Sequence, residues 1–550
     1  MKRALWIATL VWIFLPGGAA QAVPAVSEKP AKVEVCYGCH EPVKAFHAGS
    51  KHKNVNCVAC HSGIENHLAD ASKRPVTRTD LAACGTCHQA QYLSFQTMNW
   101  NKTARSEKSL MTGQSPNPAW DKLMMPHGFT KEHNLPRSHV FALLDQLLVD
   151  RSFGGRFAYK DGWRGLGKSG DLKLWDVIDD KFPGQDHKPF KPGTAAAANP
   201  VCLSCKTQDH ILDWAYMGDP VPGAKWSRTS KVNEMAKDVS HSLNCFFCHD
   251  PHSAKPRVVR DGLIQALTRP EKDTLWHKDP KATKIDVKDM GVRGFTRKIA
   301  MLGRADSKLM CAQCHVEYNC NPGVDPTNGQ PIGMGDQRTN HFPLTDVWGI
   351  TKHYDDLKFR DFRHATTGAL LWKAQHPDVE TFWNSVHDKA GVECKDCHMP
   401  KVTDPKTKKT YTSHWQTSPR NYLKETCLRC HANWNETQAR YVIDSSNAHI
   451  QGKMRKAEFW LVQLVDKFAE ANTVGIDEAA MKDARRKHDE APAHWEWWTA
   501  ANGAAFHNTD QAKDSLNRSM VLSQEGLKLL DDAIKAKRAA PAKAALATTR

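Results

Sequence analysis

Hydrophobic positions are unevenly patterned along this chain. In its last quarter apolar residues recur at i, i+3, i+4 and i+7, as in WLVQLVDKF (460–468) and SMVLSQEGLKLLDDAI (519–534), the stripe of amphipathic helices. The periodicity predicts helices over 446–472 and about 476–537, the second interrupted around Ala491 to Asn508. Their stripes are expected to pack on the rest of the chain or between subunits. Upstream there are no long buried strands and no strand–helix alternation. One further helix-like run, HVFALLDQLLVD (139–150), sits among the Pro- and Gly-rich connectors SPNP, YKDGWRGLGKSGD and FPGQDHKPFKPG. The end, AAPAKAALATTR (539–550), is read as a disordered tail. The start, MKRALWIATLVWIFLPGGAAQA (1–22), has a basic lead, a short apolar run and an A-x-A ending, which reads as a signal peptide cleaved near Ala22. No later stretch approaches about 18 apolar residues, so no membrane span is expected.

The 550 residues leave room for several domains, yet the mean hydropathy is −0.58. The expected fold is mainly α with little strand, and something other than side chains must fill part of its core. A net charge of +16 raises nucleic acid as a partner, but Lys and Arg are dispersed and no nucleic-acid motif accompanies them. Export argues against it as well. A basic surface suits anionic substrates or an acidic redox partner.

The 17 cysteines change the picture. In an exported protein the default is a disulfide framework, but sixteen fall into C-x-x-C pairs: Cys36/Cys39, Cys57/Cys60, Cys84/Cys87, Cys202/Cys205, Cys245/Cys248, Cys311/Cys314, Cys394/Cys397 and Cys427/Cys430. Seven pairs are followed at once by histidine: His40, His61, His88, His249, His315, His398 and His431. Chance would give on the order of 0.03 such pentapeptides in a chain of this composition. Two thiols three residues apart each add to one vinyl group of a haem, and the adjoining imidazole ligates the iron. Zinc ribbons do not require that histidine. The eighth pair, CLSCK, ends in Lys206. Eight covalent haems, about one per 66 residues, would fill the missing core and lie close enough to relay electrons. The expectation is a multihaem cytochrome c with a haem-filled core and long C-terminal helices.

Motif spacing divides the chain into a trihaem module over 23–100, a pentahaem core over 101–440, helices over 441–538 and the tail. A haem that only carries electrons is best closed by a second strong ligand. An amine binds iron only when deprotonated, so Lys206 must be held in a desolvated site by the metal. It marks a haem whose other face is open to substrate.

CLSCK, followed by CFFCH, CAQCHVEYNC, KAQHPDVETFWNSVHDKAGVECKDCHMPKV and YTSHWQTSP, resembles the cytochrome c nitrite reductases, which reduce nitrite to ammonia by six electrons. With the N-terminal trihaem segment the resemblance, over about 30–520, is to the octahaem members. It implies a catalytic set of Lys206, Arg151, Tyr318 and His376: an arginine fork for an anion, and phenol and imidazole as proton donors. Arg137, Arg156 and Arg164 lie close to Arg151 in sequence. It also implies calcium held by Glu317, Tyr318, Lys373 and Gln375, with Lys373 and Tyr318 serving through backbone oxygen, and a Tyr318–Cys320 thioether. Distal haem ligands implied by the pentahaem pattern are His139, His387, His414 and His507. For the N-terminal haems His47, His52 and His67 are the candidates by composition, with His241 and His252 as competitors. The implied setting is periplasmic, with nitrite as substrate, a quinol-linked electron donor and a trimeric or hexameric homo-oligomer. Hydroxylamine or sulfite would be side substrates. The rivals are a hydroxylamine-oxidising enzyme, in which C-x-x-C-H is expected throughout, a tetrathionate-reducing one, and a non-catalytic conduit with every iron closed.

Overall fold

The computed structural model describes residues 28–98, 118–125, 139–147, 160, 174–178, 199–290, 294–501 and 503–548. The expected signal segment, Arg151 and its neighbours Arg137, Arg156 and Arg164 lie outside them. Helix dominates, as the sequence pattern predicts. Among the described residues strand is confined to two-residue or three-residue antiparallel pairs and one three-stranded sheet.

That sheet orders β1 (Arg257–Val258), β3 (Lys298–Leu302) and β2 (Ile285–Asp289), with β3 in the middle and Arg257 opposite Met301. Directly after β1 the amides of Val259 and Arg260 donate to Gln313 Oε1 at 2.7 and 3.2 Å. Gln313 lies inside the CAQCH motif, so the sheet edge is fastened to a haem-binding turn. Helix α1 (Asp261–Thr268) follows, its apolar face formed by Leu263, Ile264, Ala266 and Leu267.

The C-terminal helices are α2 (Glu436–Val474), α3 (Glu478–Ala500) and α4 (Thr509–Thr548). Helix α2 starts ten residues before the expected position because Asn435 and Gln438 form a reciprocal cap: the Asn435 side chain accepts from the Gln438 amide at 2.9 Å, and the Gln438 side chain from the Asn435 amide at 2.8 Å. It ends at Gly475, whose φ of 75° is the left-handed conformation that glycine adopts without strain. Helix α3 passes through Pro492 and continues to Ala500, so the break falls at 501–508 and not at Ala491. Residues 491–498 are buried throughout, and packing outweighs the lost backbone bond. Helix α4 runs to Thr548, into the segment expected to be disordered. Ile450, Ala457, Leu461 and Val465 of α2 meet Trp495, Trp497 and Trp498 of α3 and Trp120, Tyr354, Phe359 and Trp372 of the core. Each such large side chain contributes about 1.5–3 kcal/mol when fully buried. On the other side Leu464, Phe468, Met481, Leu530 and Ile534 join the three helices to one another.

The N-terminal haem-motif segment folds as short helices, among them Val33–Cys39, Glu41–His47, Ile64–Ala69 and Leu81–Gly85. It is stitched to residues 244–252: Asn244 Nδ2 donates to Thr79 O at 2.7 Å, His52 Nδ1 to Pro251 O at 2.8 Å and Ser50 Oγ to His252 O at 2.9 Å.

Candidate haem sites and the lysine motif

Each cysteine pair is set on a tight turn or a single helical turn, and several are capped by the residues just before them. Asn56, Asp80, Asn199, Asn244 and Asp306 all accept from a backbone amide within their own motif turn. At His40, His88, His249, His315 and His431 the histidine amide bonds back to the carbonyl of the first cysteine at 2.9 Å. The imidazole therefore follows the two thiols after one helical turn.

The attachment thiols differ in how far the polypeptide itself covers them. Cys39, Cys87 and Cys430 are exposed, whereas their pair partners Cys36, Cys84 and Cys427 are half-buried and Cys202 and Cys205 are buried. All three are the second cysteine of a pair near the outer surface of its module. The physical reason is that a thioether joins only the edge of a porphyrin, so the ring itself supplies the cover that side chains do not. Cys87 has the Thr86 hydroxyl 3.9 Å from its sulfur, and Cys430 follows the 3₁₀ turn Cys427–Arg429.

The rings of the seven motif histidines each face one other imidazole. Ring centres are 6.0 Å apart for His40 and His67, 6.2 Å for His88 and His52, and 6.3 Å for His61 and His252. They are 6.0 Å for His315 and His139, 6.5 Å for His249 and His414, 6.4 Å for His431 and His387, and 6.4 Å for His398 and His507. An imidazole nitrogen sits about 2.0–2.1 Å from a bound metal and about 1.1 Å from its own ring centre, so imidazoles on opposite sides of one metal have centres about 6.3 Å apart. The seven pairs have the spacing that a ligated iron requires. The tautomers suit it too: Nδ1 of His52, His67, His398 and His414 donates to the carbonyls of Pro251, Lys73, Thr417 and Thr412, which presents Nε2 to a metal. Burial pushes His139, His249, His252 and His398 down to about 4, so these imidazoles are neutral, as ligation demands.

His47 is the exception among the expected distal residues. Its Nδ1 is 2.6 Å from Tyr37 Oη and its Nε2 3.1 Å from Val55 O, so both nitrogens are taken up locally. The ring facing His61 belongs to His252, brought from the following module. His241 instead sits 3.3 Å from Asp209 Oδ1, whose other oxygen accepts the amides of Ser240 and His241.

The lysine motif differs in its turn and in its surroundings. The Asn199 side chain accepts from the Cys202 amide at 3.1 Å, and the Lys206 amide bonds to Leu203 O at 2.9 Å. Cys202 and Cys205 are buried, and the CLSCK and CAQCH turns face each other: Cys205 Sγ lies 3.6 Å from Gln313 O and Cys314 Sγ 3.7 Å from Cys205 O. Beyond CAQCH, Tyr318 and His376 are both buried with ring centres 6.4 Å apart. Burial, then the neighbouring charge of Lys206, holds His376 well below its ordinary pKa. Burial, then the thiol of Cys320, raises the Tyr318 phenol. Lys206, Tyr318, His376 and Cys320 thus converge from three distant segments. Asp378, which sequence reasoning missed, holds the neighbouring ligand: His315 Nδ1 donates to Asp378 Oδ2 at 2.9 Å, and Asp378 Oδ1 accepts from the Gly503 amide at 3.1 Å. Its place two residues after His376 was the available signal.

Next to this cluster lies a buried group of carboxylates. Glu317 accepts from the Gln375 amide at 2.6 Å and from Tyr354 Oη at 2.7 Å; Glu380 accepts from the Glu317 amide at 3.0 Å, and Asp361 from the Lys373 amide at 2.8 Å. Burial pushes Glu317 up to about 8 and Asp361 to about 7, and holds Glu380 and Glu496 well above the carboxylate range. Gln375 Oε1, Glu380 Oε2 and both oxygens of Glu496 are buried without a hydrogen-bond donor. These are the oxygen donors that a hard cation such as calcium takes, but among the described residues no three His, Cys, Asp or Glu side chains stand grouped to hold a metal ion. Asp361, Glu380 and Glu496 lie beside the four residues expected to hold calcium.

The cytochrome c552 family profile matches residues 175–548. Cytochrome c-552 of Haemophilus influenzae is 27% identical over 423 residues, 74% of this chain and 66% of that protein, so the chain spans just under two thirds of that relative. The cytochrome c nitrite reductase subunit NrfA of Nitratidesulfovibrio vulgaris is 27% identical over 438 residues, 76% of this chain and 69% of its own length. Among solved structures, the catalytic subunit NrfA of Desulfovibrio desulfuricans cytochrome c nitrite reductase, a protein with two calcium sites, superposes with a TM-score of 0.55. It is 24% identical and covers 84% of this chain and 88% of its own, a likeness of fold.

Proposed function

We propose, from the premise that this chain belongs to the cytochrome c552 family, that it is a periplasmic octahaem nitrite reductase. It converts nitrite to ammonia at the haem bound by Cys202, Cys205 and Lys206. The observation that carries this reading is an asymmetry. All seven motif histidines face a second imidazole, whereas the motif ending in lysine is followed in space by Tyr318 and His376. Seven haems closed on both faces would relay electrons, with His40, His61, His88, His249, His315, His398 and His431 proximal and His67, His252, His52, His414, His139, His507 and His387 distal. The eighth, when bound, supplies electrons and an open coordination position.

Reduction of nitrite to ammonium takes up six electrons and eight protons and releases two waters. In this scheme Tyr318 Oη and a ring nitrogen of His376 deliver protons as nitrogen–oxygen bonds break, and a cationic fork from Arg151 holds the anion. Asp378 fixes the ring of His315 and with it the haem nearest the lysine motif. Calcium bound by Glu317, Gln375 and the carbonyls of Tyr318 and Lys373 would fix the irregular segments carrying Tyr318 and His376. A thioether between Tyr318 and Cys320 fits their burial side by side. The trihaem module over 23–100 would extend the relay toward a quinol-linked donor, in a trimer or hexamer. Hydroxylamine and sulfite are side substrates.

The test is product analysis with nitrite and a low-potential donor. The reading expects ammonia without released nitric oxide or hydroxylamine, and one high-spin ferric haem whose signal shifts with nitrite. Eight low-spin haems would refute it.

A further inference from the structure

Arg260 is 2% exposed and follows β1 as the residue capping α1. A guanidinium stays charged wherever it is buried, so its surroundings must compensate it. Two groups do so. Nη1 donates to Asp261 Oδ1 at 2.5 Å and Nε to the sulfur of Cys205 at 3.1 Å. Asp261 is itself clamped, accepting from the Gly262 amide at 2.8 Å, Trp214 Nε1 at 2.8 Å and Asn340 Nδ2 at 3.2 Å. The guanidinium lies 5.1 Å from the ring centre of Phe342 and 6.0 Å from that of Tyr318, and Nη2 is buried without a hydrogen-bond acceptor. Asp261 pairs with one end of the guanidinium, and Nε is aimed at one cysteine of the lysine motif.

We propose that Arg260 is a positioning residue that sets the reduction potential of the lysine-ligated haem, its fixed positive charge at the Cys205 edge favouring the ferrous form. This rests on the assignment of Lys206 to the substrate-binding haem. In the loaded protein the Cys205 sulfur is bonded to the porphyrin edge, so a cation against it stabilises an added electron through a medium of low dielectric. The haem that must collect electrons from its neighbours thereby becomes the acceptor of the chain. Asp261 opposes the effect while fixing the geometry, so the two side chains act with opposite sign.

The experiment is a redox titration of the fully loaded protein, following the nitrite-sensitive high-spin ferric signal. Arg260→Gln should lower the ferrous-to-ferric ratio of that haem at a fixed ambient potential by at least about tenfold, equivalent to about 59 mV for one electron. Arg260→Lys, which keeps the charge, should recover most of that loss. Asp261→Asn should shift the same haem in the opposite direction, and it carries the test alone where Arg260→Gln fails to load haem. A purely structural clamp would move both variants the same way, and that result, or an unmoved potential in a loaded Arg260→Gln protein, overturns the inference. A wild-type protein with no nitrite-sensitive high-spin haem would instead refute the proposed function, which separates the two failures.

Discussion

Replacing His252 and His47 in turn separates two accounts of the N-terminal haems. His252 faces His61 at 6.3 Å between ring centres, whereas His47 bonds to Tyr37 Oη and Val55 O. His252→Ala removes one imidazole from one of seven facing pairs. It should convert about one seventh of the low-spin haem to high spin, because iron with one strong axial nitrogen no longer has two. Ser50 Oγ bonds to the backbone of His252 and not to its ring, so the stitching of the module onto 244–252 survives. His47→Ala should leave the low-spin signal whole. Its cost is two hydrogen bonds at about 0.5–1.5 kcal/mol net each, so about 1–3 kcal/mol before the lost packing, seen as a lower melting temperature. Electron paramagnetic resonance of both loaded variants, read beside haem content and a thermal melt, decides the matter. If His47→Ala opens a haem while His252→Ala does not, the pairing geometry is refuted.

Three further outcomes follow from the site. Lys206→His should reduce ammonia formation by at least about tenfold, equivalent to about 1.4 kcal/mol of barrier, with eight haems still bound; undiminished turnover would remove the lysine from the mechanism. Burial lifts Glu317 to about 8 and Asp361 to about 7, so the folded state holds protons there more tightly than the unfolded chain. Without a cation, stability supplied by those protons is present below the unfolded carboxylate range and is lost as pH rises toward 7 to 8. Chelation should accordingly lower the melting temperature far more at pH 8 than at pH 5, and an equal effect at both would argue against a cation at this group. Cys320→Ser should keep all haems, while mass spectrometry of the wild-type peptide carrying Tyr318 should show it lighter by two hydrogens, a difference absent from the variant.

Cysteine spacing made covalent haem attachment legible in the sequence, because attachment demands a fixed local pentapeptide. It could not tell which thiols the polypeptide itself covers, as it does Cys202 and Cys205 but not Cys39, Cys87 and Cys430, since depth is a property of the whole fold. The apolar period likewise made the three C-terminal helices legible as elements. What it missed lay at their ends. The Asn435–Gln438 cap is readable as N-x-x-Q, yet it precedes the apolar stripe by ten residues, and the periodicity alone starts the helix at 446. Pro492 reads as a breaker, but the buried tryptophans around it hold the helix together. Distal histidines carry no local signature, since the partner of a haem is chosen by tertiary contact. His252 lies only three residues after His249 and reads as part of that motif's surroundings, although its ring faces His61, nearly two hundred residues upstream. Arg260, Glu380 and Glu496 were invisible for the same reason: an isolated charged residue is ordinarily solvated, and only burial shows otherwise.

The contrast that the proposed function draws between relay haems and a lysine-ligated haem has a counterpart in the backbone of the motifs. After the second cysteine at His40, His88, His249, His315 and His431, the amide reaches back four residues to the first cysteine, the bond of an α-turn. At Lys206 it reaches back three, to Leu203, the bond of a 3₁₀ turn, whereas the Cys205 amide's bond to Cys202 O at 3.2 Å has its counterparts in the histidine motifs at Cys87, Cys314 and Cys430. A tighter turn rotates the next side chain by a different angle about the turn axis. A lysine also has a four-carbon stem with its donor at the tip, whereas an imidazole is a short rigid plate. Ligand and turn therefore differ together, and a histidine placed at 206 would start from a backbone aimed for a longer reach. The distal side differs in the same concerted way. Where the other motifs meet a histidine, the lysine motif has Tyr318 and His376, with His376 two residues from Asp378, the carboxylate that orients His315. On the proposed function the segment 376–378 would place a proton donor near one haem and hold the axial ligand of the next, so that electron delivery and proton delivery would depend on the same few residues.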